Sequence, residues 1–160
     1  MEKFAIVSDT NSGLTKELRD RFGIEDYVKS VITYPDGINH VADLDWEEID
    51  PDEYYKSMLN GSNIYKTGVP GLSAIEETVG KYMEAGRDVL SITLSSGMSS
   101  TYNTYLAAKK ELEEKYPGRR FVVVDSLRFS TPLALLNMKA SELRAQGCSI
   151  DETAGWIEEK

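Results

Sequence analysis

Apolar runs that break off at polar residues recur along the chain: Phe4-Ala-Ile-Val before Ser8-Asp9, Val89-Leu-Ser-Ile-Thr-Leu94 before Ser95-Ser96, and Phe121-Val-Val-Val before Asp125-Ser126. Short runs without strict alternation predict strands buried on both faces of a parallel sheet, and the polar residues mark where each strand leaves it. Thr15 predicts a helix N-cap and Gly23 the end of that helix, with Leu18 and Phe22 on one face. Tyr27 to Tyr34 predicts a further strand, which Pro35-Asp36-Gly37 turns back into Ile38 to Val41 as a hairpin.

Asp50-Pro51-Asp52-Glu53 predicts a helix start, because proline suits the first turn and carboxylates complement the dipole; Asn60-Gly61 closes that helix. Residues 62–72 read as a loop. Ser73 and Glu76 match a capping box that opens a helix to Ala85, stopped at Gly86. Thr101 to Lys115 is a further helix, closed by Pro117-Gly118, and Thr131-Pro132 starts another that Gly147 ends. Ser149 and Glu152 form a second box before Ile150 to Lys160, where no stop signal occurs, so the chain reads as the front part of a longer protein. Strands alternating with helices predict right-handed βαβ units, hence an α/β fold: a three-layer α/β/α domain over 1–160 with a mainly parallel sheet. In such sheets ligands bind at the carboxyl edge.

Charge narrows the partners. Eighteen Lys and Arg stand against 27 Asp and Glu, a net charge of −9, which argues against nucleic acid and against an anionic membrane surface. With 41% hydrophobic and 28% charged residues the chain has the composition of a folded domain. No stretch approaches the roughly 20 apolar residues of a membrane span, and MEKFAIVSD lacks a signal-peptide core, so the expected address is cytoplasmic without membrane insertion. Cys148 is the one cysteine, which leaves no disulfide framework and no thiolate metal site.

The expected carboxyl edge is rich in hydroxyls and nearly bare of cations: Ser8-Asp9-Thr10-Asn11-Ser12-Gly13, Ser95-Ser96-Gly97-Met98-Ser99-Ser100 and Asp125-Ser126. Hydroxyls together with free helix N–H groups can hold an anionic head group, although the same residues also serve as ordinary caps. Met98 in that polar setting suggests an apolar channel wall, whereas Met58, Met83 and Met138 fall inside helices and read as core. His40, the only histidine, falls in the hairpin and reads as a solvated loop residue, so no Ser-His-Asp set is predicted. Neither GxxxxGK[ST] nor GxGxxG occurs. The pairs Glu47-Glu48, Glu76-Glu77, Glu113-Glu114 and Glu158-Glu159 read as solvated helix faces. Asp9, Asp43, Asp45 and Asp125 show no recognised ligand spacing. A phosphotransferase or hydrolase using Asp9 and Asp125 with a divalent cation is the rival from another class, and a module whose hydroxyls only cap helices is a third.

Four motifs in order make the chain resemble the N-terminal part of the DegV family, bacterial fatty-acid-binding proteins. Val7-Ser-Asp-Thr-Asn-Ser-Gly-Leu14 is similar to I-x-D-S-T-A-D-L, and Thr67-Gly-Val-Pro70 stands at T-S-Q-P. Val89 through Tyr102 resembles the family's strand and its S-S-x-L-S-G-T-Y loop, and Val123-Val-Asp-Ser126 resembles V-I-D-S. Gly68, Val69, Gly71 and Ser100 depart from the pattern, and Leu127 to Leu133 lacks the glycines usual there. The resemblance implies a non-enzymatic carrier without a cofactor, holding a long-chain fatty acid between this domain and a C-terminal domain that this chain lacks. It implies that Thr67 and Ser96 meet the carboxylate, with Ser95 and Gly97 flanking them and Ser8, Asp9, Thr10, Met98, Asp125 and Ser126 in support. It further implies a separate fatty acid kinase as partner, which phosphorylates the carboxylate for phospholipid synthesis.

Overall fold

Side chains on successive strand residues point to opposite faces, so each buried strand feeds two helix layers. The computed structural model describes residues 4–47, 49–59 and 61–160. Its strands are β1 (Ala5–Asp9), β2 (Asp26–Val28), β3 (Ser30–Thr33), β4 (Asn39–Ala42), β5 (Lys66–Gly68), β6 (Val89–Thr93) and β7 (Phe121–Asp125). The helices are α1 (Lys16–Phe22), α2 (Pro51–Met58), α3 (Leu72–Glu84), α4 (Thr101–Lys115), α5 (Ser130–Ala145) and α6 (Ile150–Glu158).

The expected α/β/α sandwich is present: β2-β1-β6-β7 form a parallel sheet in that order. On one face Ile6, Leu90, Ile92 and Val124 pack against Leu133 of α5 and Ile157 of α6. On the other, Ala5, Val7, Val89 and Phe121 meet Val79 of α3 and Tyr105 of α4. β1 leads to β2 on one side while β6 leads to β7 on the other, so the strand order reverses between β1 and β6. At such a reversal the loops splay apart and leave a crevice.

The structure corrects several local expectations. Tyr27 to Tyr34 is two strands: β2 joins the parallel sheet, whereas β3 turns away and pairs antiparallel with β4 and β5 in a second, three-stranded sheet. Thr10 holds that junction. Its Oγ1 lies 3.0 Å from Val28 O and 3.1 Å from Ala42 O, and accepts from Ser30 N at 3.0 Å. The segment expected to be loop contains β5, whose three residues carry no periodicity of their own and exist as a strand because β3 offers a free edge.

Ser73 and Glu76 form no box, because α3 starts earlier, with Gly71 as N-cap and Ser73 already inside the first turn. α5 begins at Ser130, one residue before the expected Thr131, and α6 ends at Glu158. His40 lies on β4, half-buried, its ring stacked on Tyr34 at 4.0 Å, so it is a strand residue and no solvated loop histidine. Caps at Thr15 and Asp50 and the box at Ser149 and Glu152 form as expected. Asn60, Glu48 and residues 1–3, on which other expectations fell, lie outside the described residues.

Candidate functional site

All four parallel strands end at one edge, where Asp9, Thr93 and Asp125 are the last strand residues of β1, β6 and β7. Asp9 spans the crevice. Its Oδ2 accepts from Leu94 N at 3.0 Å, and its Oδ1 from Asn11 N at 2.8 Å, so one carboxylate holds the turn after β1 to the turn after β6. Burial pushes the Asp9 carboxyl up to about 6, against the two N–H donors that pull it down. The same burial, together with the negative charge of Asp9, raises the Tyr105 hydroxyl well above its ordinary value.

The next two loops are stitched together in the same manner. Asp125 Oδ1 accepts from Ser96 N and from Leu127 N, each at 3.1 Å, and Ser95 N donates to Arg128 O at 3.0 Å. Ser126 Oγ lies 3.0 Å from Arg128 O and 2.9 Å from Arg128 N, and Ser95 Oγ accepts from Gly97 N at 3.2 Å. Arg128, the cation of the β7–α5 loop, places its guanidinium on Leu127 O and Lys160 O. Leu127 and Ser130 in this loop have φ of 51° and 52°, the left-handed conformation that glycine adopts most easily. The backbone here has a glycine-like shape even though the sequence has no glycine.

These bonds divide the candidates by what each side chain is doing. Asp9, Thr10, Ser95, Asp125 and Ser126 hold the loops, and Ser8 is buried within β1 with its hydroxyl unpartnered among the described residues. Ser96 and Thr67 are different. Both are exposed, and among the described residues neither hydroxyl is engaged. Ser96 shares its loop with exposed Gly97 and Met98, whereas Thr67 sits on β5 in the second sheet, directly opposite Ile32. Among the described residues no three of His, Cys, Asp and Glu gather as a metal site.

The helix starts supply what the residue motifs did not. α1, α2 and α6 begin with a side-chain oxygen on their first N–H groups. α3, α4 and α5, which all begin at the carboxyl edge, have no bond from the N-cap side chain and no acidic residue in the first turn; in α4 Ser99 Oγ accepts from Thr101 N at 3.2 Å. An uncapped start leaves N–H donors and the positive end of the helix dipole open to an anion. Around them stand exposed apolar side chains: Val69, Leu72, Met98, Leu127 and Phe129. Apolar residues inside polar loops are a signal visible in the sequence, and Met98 is the one of these that the sequence reading assigns to a channel wall. The edge therefore offers hydroxyl and amide donors bordered by apolar surface, chemistry suited to an amphiphile with a negative head.

Comparison with known proteins shows which chains share this sequence and fold. The DegV family model, described as "Uncharacterised protein, DegV family", matches residues 3–160. A DegV domain-containing protein of Clostridium perfringens is 30% identical over 159 residues, covering 99% of this chain and 53% of that protein. A Thermotoga maritima structure, described as revealing a fatty-acid-binding function, superposes with a TM-score of 0.85 at 28% identity, over 99% of this chain and 55% of its own. A stearic-acid-binding protein from Eubacterium ventriosum shares the fold, with a TM-score of 0.86 at 24% identity, over 97% of this chain and 52% of its own. The chain thus spans about half the length of the relatives it matches.

Proposed function

The chain belongs to the DegV family, and from that membership we propose that it forms the head-group half of a fatty-acid site. The observation that carries this reading is the group of three helix starts without an N-cap side-chain bond at one sheet edge, beside the disengaged hydroxyl of Ser96. Thr67 and Ser96 donate to the carboxylate, Ser95 and Gly97 shape the loop, and Met98, Leu127 and Phe129 meet the first methylenes. Asp9, Thr10, Asp125 and Ser126 support the site by fixing its loops. A carboxylate bound by neutral donors stays ionised, and each methylene removed from water adds about 0.8 kcal/mol.

In this reading the rest of the acyl tunnel comes from a second domain. The protein acts as a carrier and needs no cofactor beyond its lipid. A separate kinase phosphorylates the presented carboxylate in the cytoplasm. Among the described residues no helix is long and apolar enough to cross a membrane.

Octanoate, with its short tail, tests the head-group half directly in an NMR titration. Amide shifts should concentrate at residues 71–74, 96–103 and 127–131, and octanol should leave them unmoved. Equal shifts with octanol, or octanoate shifts confined to another part of the chain, would refute the assignment.

A further inference from the structure

The second sheet carries a cavity that includes Ile32, the residue opposite Thr67, and extends away from it to α2. It lies between the β3–β4 hairpin and α2, has a volume of about 180 Å³, and is walled by Trp46, Tyr54, Tyr55, Tyr34, Ile32 and Asp43. Three of the rings meet as a corner. Trp46 and Tyr54 are 5.5 Å apart at 63°, Trp46 and Tyr55 5.8 Å at 53°, and Tyr54 and Tyr55 5.2 Å at 78°. Aromatic ring faces are electron-rich and attract cations, and all three rings border this cavity.

The surrounding charge has the matching sign. Seven of the eleven residues from Asp43 to Glu53 are Asp or Glu, and none is Lys or Arg. Asp45 is neutralised by Arg19 at 2.6 Å, and Asp50 caps α2. Asp43, which faces the cavity, uses Oδ1 to accept from Asp45 N and Glu47 N and pairs with no cation among the described residues. Asp43 thus brings to the wall of the aromatic corner a carboxylate that has no cationic partner among the described residues. At about 180 Å³ the cavity has room for a small alkylammonium group. Trp46 and Tyr55 are 39% and 59% exposed, so the corner is reachable from solvent.

We propose that this cavity binds an organic cation, an alkylammonium group carried either by a small molecule or by a lysine side chain of a partner protein.

The two indole N–H signals, Trp46 and Trp156, provide the readout. The chain is titrated with choline, with Nα-acetyl-lysine amide and with 3,3-dimethylbutan-1-ol, the uncharged isostere of choline. At least one of the two cations should move the Trp46 signal saturably and at least tenfold more tightly than the alcohol does, with Trp156 unmoved. Asp43→Asn and Tyr55→Leu should each weaken that response at least threefold; Tyr55 is exposed, so the second variant folds normally. Saturation by choline alone assigns the site to a small molecule, and saturation by the lysine amide assigns it to a protein partner. Indistinguishable responses to cation and alcohol, or no saturation by either cation, overturn the proposal.

Discussion

The two ends of the parallel sheet differ in what they leave unmatched. At the amino edge a cavity of about 500 Å³ is lined by Phe4, Asp88, Arg119, Arg120 and Asp151, among others. Its charges are answered within the chain: Arg120 on Asp151, Arg119 on Asp88, and both Arg87 and Arg144 on Glu25. Helices α1, α3, α4 and α5 also bring a basic residue to this end in their last turn, where it complements the dipole. At the carboxyl edge the starts of α3, α4 and α5 have no acidic residue in the first turn, and among the described residues only α4 has a side-chain oxygen on its first N–H, that of Ser99 on Thr101 N at 3.2 Å. Cavity volume would place the ligand at the amino edge, whereas unmatched donors place it at the carboxyl edge. Donors are the better guide, because an edge whose polar groups are already paired offers an anion little to gain.

The largest effect that could sharpen this contrast is Arg144→Ala. Arg144 is buried and bonds Phe4 O at 2.8 Å as well as Glu25 and Gly23 O, so its loss should cost about 3–5 kcal/mol in chemical denaturation while octanoate binding by the folded fraction stays unchanged. A loss of binding without a loss of stability would mean that the amino edge serves the ligand. At the other edge, Thr67→Val with Ser96→Ala should do the reverse. Each charge-assisted bond is worth roughly 1.5–3 kcal/mol, so octanoate affinity should fall by tenfold or more per site, with stability within about 0.5 kcal/mol of the parent. Unchanged affinity would remove both hydroxyls from the site.

Asp9 links the contrast to pH. Its folded-state pKa of about 6 exceeds the ordinary 3.8, so the folded chain holds this proton more tightly than the unfolded chain does. The stability it contributes is complete below about pH 3.8 and is lost as the pH rises through about 6. At about 1.4 kcal/mol per pH unit, that window corresponds to about 3 kcal/mol. Asp9→Asn should flatten this slope between pH 4 and 7 when denaturation is followed across the range. An unaltered pH profile would show that the carboxylate is better solvated than its burial implies.

The smallest expected effect is at Leu127, where a side chain in the left-handed region costs about 1–2 kcal/mol and glycine's extra freedom returns about 0.5–1 of it. Leu127→Gly should therefore gain up to about 1 kcal/mol in the same denaturation assay. A net loss would mean that the exposed leucine makes contacts worth more than the strain.

Local rules carried the sequence reading far. The β1 and β7 runs are apolar enough to demand burial on both faces, and the caps at Thr15, Asp50 and Ser149 depend on neighbours two or three residues away. Such interactions are written into adjacent positions, so the layered α/β architecture and the hydroxyl loops at strand ends could be read without coordinates. The break at Lys29 and the existence of β5 depend on partners dozens of residues distant, whereas Ser73 and Glu76 fail to cap α3 because the helix already starts at Leu72. Distant segments also hold the Ser95–Ser96 loop, through Ser95 N on Arg128 O and Ser96 N on Asp125 Oδ1, and in that loop the Ser95 hydroxyl turns onto Gly97 N while that of Ser96 is left open to solvent. Side chains of one chemical type become framework or ligand donor according to which backbone groups the folded chain brings beside them, and hydrogen bonds between distant segments leave no periodic trace in the order of residues.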